Sequence, residues 1–210
     1  MVLAQLVAVS VGYNLFNLAL VLHPQPVPEK KADNRVPPLV WASAFLALVT
    51  VAFSRFTDDR TFFPNLLTMH GLIILPLLSS QPFTSSRYSI SLATVYFVIY
   101  TASLVIRLYT LRVAIAGLQG QDLNPLGFLM AAFDVFYSHP AQSSIGWDII
   151  WTTVSFFVWV TQNPWPGHAT FERLFIVFGA PLVSIGVVAP NNLLNRERAR
   201  KKGLREVKEE

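Results

Sequence analysis

The residue best placed to do chemistry in this sequence is Asp148. It is the one acid that falls cleanly inside an apolar stretch, in Ser143-Ser144-Ile145-Gly146-Trp147-Asp148-Ile149-Ile150-Trp151-Thr152-Thr153-Val154-Ser155. A carboxylate at the centre of a membrane helix costs at least about 2.5 to 3.5 kcal/mol on insertion scales, so its presence asks for a reason. With a helix starting at 143, Asp148 lies five residues in, or about 7.5 Å along the axis. Helical spacing puts Thr152 and Ser155 on its face at i+4 and i+7, while Trp147 and Trp151 form an adjacent i,i+4 aromatic wall. A polar stripe beside tryptophans suits a proton donor, an ion ligand or a substrate anchor. It suits equally an aspartate that caps a neighbouring helix or accepts hydrogen bonds between helices.

His70 is the second ionisable candidate, seven residues into another apolar stretch and about 10 Å from its start. If the third and fifth stretches begin at the same membrane face, His70 and Asp148 lie at similar depths. Such a pair could relay a proton or hold a hydroxyl group. The alternative is a lone histidine bonded to a backbone carbonyl. Asn14 and Asn17 in the first stretch, Asn65 in the third, and Tyr96, Tyr100, Thr101 and Ser103 in the fourth could line the same cavity. They could also be interhelical hydrogen-bonding residues, worth about 0.6 kcal/mol each. Asp148 and His70 are the candidate catalytic residues. Trp147, Trp151, Thr152, Ser155, Asn14, Asn17 and Tyr100 are the candidate substrate contacts.

Several chemistries are missing. There is no Gly-x-Ser-x-Gly elbow, no phosphate-binding Gly-Lys-Ser/Thr loop, no His-Glu-x-x-His and no dinucleotide fingerprint. His23, His70, His139 and His168 show no i,i+3 or i,i+4 ligand pairing, and the chain has no cysteine, so no metal or cofactor is expected.

The elements that must position these residues follow from composition. Hydrophobic residues make up 53% of the 210 and charged residues 13%, about half the share usual in a soluble domain. Mean hydropathy is +0.47. This excludes an ordinary soluble enzyme, a disordered chain and a nucleic-acid binder. A spanning helix needs about 20 mainly apolar residues. Six stretches approach that length: 2–22, 38–54, 63–79, 88–106, 143–161 and 173–189. A seventh, 125–137, is too short to span. Asn124 can cap it, Pro125 can open it and Pro140 lies beyond its end, so a helix of about 12 residues lying at the interface is expected. Pro76 and Pro181 should kink or open the third and sixth spans. Trp41, Tyr88, Tyr137 and Trp165 fall at segment ends and suit interfacial anchors. Ser43/Ala47 and Ala180/Ser184 offer small residues for close helix packing.

The loops are short and marked by breakers or charge, including the run from His23 to Lys31, then Arg55 to Arg60, Gln81 to Arg87, Gly117 to Pro125, and Asn163 to Gly167. The expected fold is an all-α polytopic bundle over 1–190, followed by a basic tail over 191–210. Of the Lys and Arg residues, Lys30, Lys31, Arg35, Arg87 and Arg173 fall on one side of such a bundle. The rest fall on the other, most of them in the tail. The positive-inside rule then places both termini in the cytoplasm. An endomembrane is the expected location, and the basic residues over 191–210 suit an anionic lipid surface, or equally a solvated tail that simply obeys the charge rule.

The last third also carries Ser138-His139-Pro140, Trp147-Asp148-Ile149-Ile150, Gly167-His168-Ala169, Gly179-Ala180-Pro181-Leu182 and Asn195-Arg196-Glu197-Arg198. Over residues 126–200 these motifs resemble a family of small integral membrane proteins known only as a domain of unknown function. The resemblance implies a helical membrane fold and points at Asp148, but it brings no activity.

Three functions fit these residues. One is a scaffold, assembly or lipid-organising protein. Another is a membrane-embedded enzyme acting on a lipid or isoprenoid, with Asp148 as general acid. The third is a proton-coupled transporter using Asp148 and His70. The expected partners are the lipid bilayer, a lipophilic small molecule and a membrane protein, with no nucleic acid.

Overall fold

The computed structural model describes residues 9–22, 35–78, 87–117, 124–162 and 169–209. The expectations for residues 2–8, for the loops at 23–31, 81–86, 118–123 and 163–167, and for Trp165 lie outside these residues. The described chain is all-α apart from one two-residue ladder. Its helices are α1 (Val9–Leu22), α2 (Pro38–Phe53), α3 (Phe62–Ile74), α4 (Leu92–Gly117), α5 (Pro125–Tyr137), α6 (Pro140–Gln162), α7 (Ala169–Val183) and α8 (Ile185–Glu209). Short 3-10 turns, Ser54–Phe56 and Leu75–Leu78, extend α2 and α3. The chain divides into two compact units, one of residues 1–23 and 105–185, the other of residues 24–104 and 186–210.

In the second unit, Pro37 takes an extended conformation and Pro38 opens α2, because the N–H that proline lacks would have no helical acceptor there. Ser43 and Ala47, one turn apart, are buried, which is where small residues let helices approach. α3 packs back on α2, and Asn65 clamps the pair. Its amide nitrogen donates to the Thr50 carbonyl and to the Ser54 hydroxyl, both at 3.0 Å. Pro76 acts as expected: the α-helix gives way to a 3-10 turn at Leu75. A feature without warning in the sequence is the antiparallel pairing of β1 (Arg35–Val36) with β2 (Ile90–Ser91), in the register Arg35 to Ser91 and Val36 to Ile90. Beside it the Trp41 indole N–H donates to the Tyr88 carbonyl at 3.1 Å. The two residues expected to be interfacial anchors thus tie the first turn of α2 to the turn that precedes β2.

In the first unit, the Asn124 side chain accepts from the Gly127 N–H, and Pro125 opens α5 as its sequence predicts. The chain bends at Ser138-His139 and resumes at Pro140. α6 therefore begins three residues before the expected 143, since proline is tolerated in a first turn. Ser143 Oγ reaches back across this turn to the Phe136 carbonyl at 2.8 Å. The Phe136 ring sits where a side chain at Gly146 would stand, so Gly146 is what lets α5 and α6 close on each other. α7 ends at Val183 rather than at 189. Ser184 adopts φ 81°, the left-handed conformation that terminates helices, and a new helix follows. That helix, α8, belongs to the second unit from residue 186 on and continues without a break through residues 191–209, which the sequence reading set apart as a tail. Val187, Val188, Asn192, Leu194 and Glu197 along it are buried.

Two segments are long and apolar enough to cross a membrane, Pro38–Phe56 and Leu92–Gly117. α1, α3 and α7 have 14, 13 and 15 described residues, short of the length a full crossing needs. Within the two long segments only 11% and 6% of residues are buried in the protein. The core helix of a soluble protein would be mostly covered. Phe53, Phe97, Val105, Phe133, Trp151 and Phe178 are among the many large apolar side chains left exposed. Soluble monomers rarely present contiguous apolar surface beyond a few hundred square ångströms.

Candidate functional site

Asp148 sits eight residues into α6, about 12 Å from its start and deeper than the expected 7.5 Å, because the helix begins earlier. Its Oδ1 accepts the backbone N–H of Ser10 at 2.9 Å. Ser10 is the second residue of α1, and the first N–H groups of a helix have no acceptor within it. The carboxylate therefore holds two helices together by satisfying an otherwise orphaned donor, the bond further favoured by the positive end of the α1 dipole. The Thr152 hydroxyl does not meet this carboxylate. It donates to the Asp148 backbone carbonyl at 2.7 Å, the local i to i−4 bond open to any helical threonine. Trp147 packs edge-on against Phe136 of α5, with centroids 5.7 Å apart and an interplanar angle of 83°. Half of the expected polar stripe thus serves packing and backbone satisfaction.

The other half faces a groove. Past the Asp148 to Ser10 bond, α1 and α6 run side by side in the same direction, since Ser10 meets Asp148 and the Tyr13 ring approaches that of the later Phe156 at 6.4 Å. Between them lies a groove of about 450 Å³. Asn14 and Asn17 line it from α1, and Trp151, Ser155, Trp159 and Gln162 from α6. Four of the sequence-derived contacts, Asn14, Asn17, Trp151 and Ser155, are thereby brought together. Asp148, Trp147 and Thr152 are outside its lining. Leu18, Val21, Val154 and Val158 give the groove an apolar floor.

His70 and Tyr100 belong to the other unit. His70 Nδ1 lies 2.8 Å from the Leu66 carbonyl, a group that only accepts, so this nitrogen carries the proton. The bonds described for His70 and for Asp148 are each made inside their own unit. Tyr100 stands half-buried on α4. Asn65 serves as the interhelical clamp already described.

The sequence reading missed Glu197. In a run of charges it looks solvated, yet it is 6% exposed and gripped at both oxygens by Arg200, Nε to Oε2 and Nη2 to Oε1 both at 3.0 Å. Lys201 Nζ approaches Oε1 at 3.7 Å. The hydrogen bond to Glu197 pushes the Arg200 guanidinium further up, against an opposing effect of desolvation. One turn before this grip, Asn192 is 3% exposed, and neither its Oδ1 nor its Nδ2 has a hydrogen-bond partner among the described residues. The signal for Glu197 was its spacing, i,i+3 to Arg200 and i,i+4 to Lys201. Arg173 is likewise more than a surface charge: Nη2 donates to the Thr161 carbonyl at 3.4 Å, near the end of α6.

Among the described residues no group of three or more His, Cys, Asp or Glu side chains could hold a metal ion, while His23 and His168 lie outside them. The chain matches no protein-family model, no curated protein and no solved structure.

Proposed function

We propose that the chain is a multi-pass integral membrane protein that acts without catalysis, as a scaffold, assembly or lipid-organising component. Six helical crossings, an interfacial α5 and cytoplasmic termini in an endomembrane make up this reading. Its membrane part is supported by the two long apolar helices and by the exposure of their faces. The parallel course of α1 and α6 fits too, because the first and fifth crossings of a serially threaded bundle run in the same direction. α5 suits the interface, with Leu126, Leu129, Met130 and Phe133 all exposed beside Asp134.

One observation carries the non-catalytic part, the bond from the Ser10 N–H to Asp148 Oδ1. A general acid must present its proton to a substrate, whereas this carboxylate accepts from a neighbouring helix and lies outside the groove. Asp148→Asn keeps an Oδ1 acceptor, and Asp148→Leu removes it. The asparagine variant is expected to stay within about 1 kcal/mol of wild type in detergent and to rescue cells lacking the protein. The leucine variant is expected to lose about 1 to 3 kcal/mol through the unpaired N–H. A folded, membrane-resident asparagine variant that fails to rescue would overturn the reading in favour of proton chemistry at Asp148.

A further inference from the structure

The groove between α1 and α6 presents four polar side chains in an apolar setting. Asn14 and Asn17 project from α1, Ser155 and Gln162 from α6, and no hydrogen bond is described for any of the four among the described residues. Hydrocarbon cannot supply the missing partners, and an unmet amide or hydroxyl in an apolar medium costs several kcal/mol. The occupant must therefore bring donors or acceptors of its own. Its charge is constrained as well: none of the described lining residues is ionisable, so none of them would balance a phosphate or an ammonium group. Trp151 and Trp159, two turns apart on α6, offer flat aromatic surface, and Leu18, Val21 and Val158 offer an apolar bed.

Size decides between a small molecule and a helix. The groove of about 450 Å³ falls in the range of small-molecule sites. A helix about 10 Å across and four turns long would fill several times that volume. We propose that the groove binds a neutral lipophilic molecule carrying carbonyl or hydroxyl oxygens on a compact head, of the quinone or isoprenoid-alcohol kind. The oxygens pair with Asn14, Asn17 and Ser155, and the apolar body lies along Leu18 and Val158. Asp148 closes one end by fixing Ser10 and stays out of the contact. This inference rests on the membrane reading above.

The test uses the full chain in phosphatidylcholine nanodiscs, titrated with a decyl-benzoquinone, with farnesol and with hexadecane. Tryptophan fluorescence is the readout. Saturable quenching by the quinone is expected, with competition by farnesol and none by hexadecane. Trp151→Phe should remove much of the signal. Asn17→Leu and Ser155→Ala should each weaken binding about tenfold, and Ser155→Thr should restore it. Quenching that rises linearly without saturation, or affinity unchanged in Asn17→Leu, overturns the proposal. So does an Asn17→Cys variant that cross-links in high yield to another polypeptide, since a helix then fills the groove. Alkaline carbonate extraction of the same preparation separates the two readings. Protein that stays in the bilayer but does not bind refutes the groove alone, and protein that leaves the bilayer refutes both.

Discussion

At the turn between α2 and α3, the Asp58 carboxylate receives the Thr61 hydroxyl at 2.7 Å, the Thr61 N–H at 2.8 Å and the Arg60 N–H at 3.1 Å. The Thr61 hydroxyl returns the favour by accepting the Asp58 N–H at 2.9 Å. These bonds, the Thr61 hydroxyl foremost, hold the Asp58 carboxyl below the ordinary aspartate value of 3.8. A carboxyl whose pKa is depressed by folding stabilises the fold above its unfolded value. The contribution is therefore complete near neutrality and is lost as pH falls below about 4. A carboxyl-carbon NMR titration should place Asp58 under 3.8, and Thr61→Val should move it back up. A wild-type midpoint at or above 3.8 would contradict the geometry. Asp148 and Thr152 teach the same lesson within the helices. A polar side chain is claimed first by the nearest orphaned backbone group, and only what remains is open to a ligand.

Among the elements, the break between α7 and α8 is the least expected. Pro181 removes one helical N–H, yet the chain stays helical to Val183 and turns at Ser184, whose N–H donates to the Ala180 carbonyl at 2.9 Å. A left-handed conformation costs a non-glycine residue about 1 to 2 kcal/mol, and Ser184 bears it at φ 81°. Ser184→Gly is expected to raise stability by up to about 1 kcal/mol, the gain being reduced by the greater freedom of glycine in the unfolded chain. Ser184→Val should lower it. Thermal midpoints of both variants in one detergent check this, and a glycine variant less stable than wild type would show that the serine hydroxyl is needed. The break also divides the expected 173–189 stretch between two helices. Hydropathy falls where the charges begin, but the helix responds to local caps and continues to Glu209.

For the whole molecule, the proposed topology can be tested directly, because the sequence contains no cysteine and each single-cysteine variant carries one label. Arg60→Cys and Arg205→Cys should react with a membrane-impermeant maleimide only from the cytoplasmic face, and Arg87→Cys only from the opposite face. Labelling of positions 60 and 87 from one side would remove the six-crossing topology. In the proposed six-crossing topology the positive-inside count depends mainly on charges in α8. Glu197, itself buried, pairs with the exposed Arg200 and offsets one of those positive charges.

The class of fold was legible in the sequence because apolar content and proline spacing act locally. Asn124 and Pro125 begin α5 as their chemistry requires, and Pro38 opens α2 for the same reason. Ser43 and Ala47 were recognisable as a packing face from their size and spacing alone. The fate of the polar side chains was not legible, since that depends on which neighbour arrives first. Only tertiary structure set Asp148 against Ser10, gathered Asn14, Asn17, Trp151 and Ser155 around one groove, and folded Glu197 inward. Hydrogen bonds to groups more than a hundred residues away leave no periodic trace along the chain, whereas helix starts and stops are written within a few residues of where they occur.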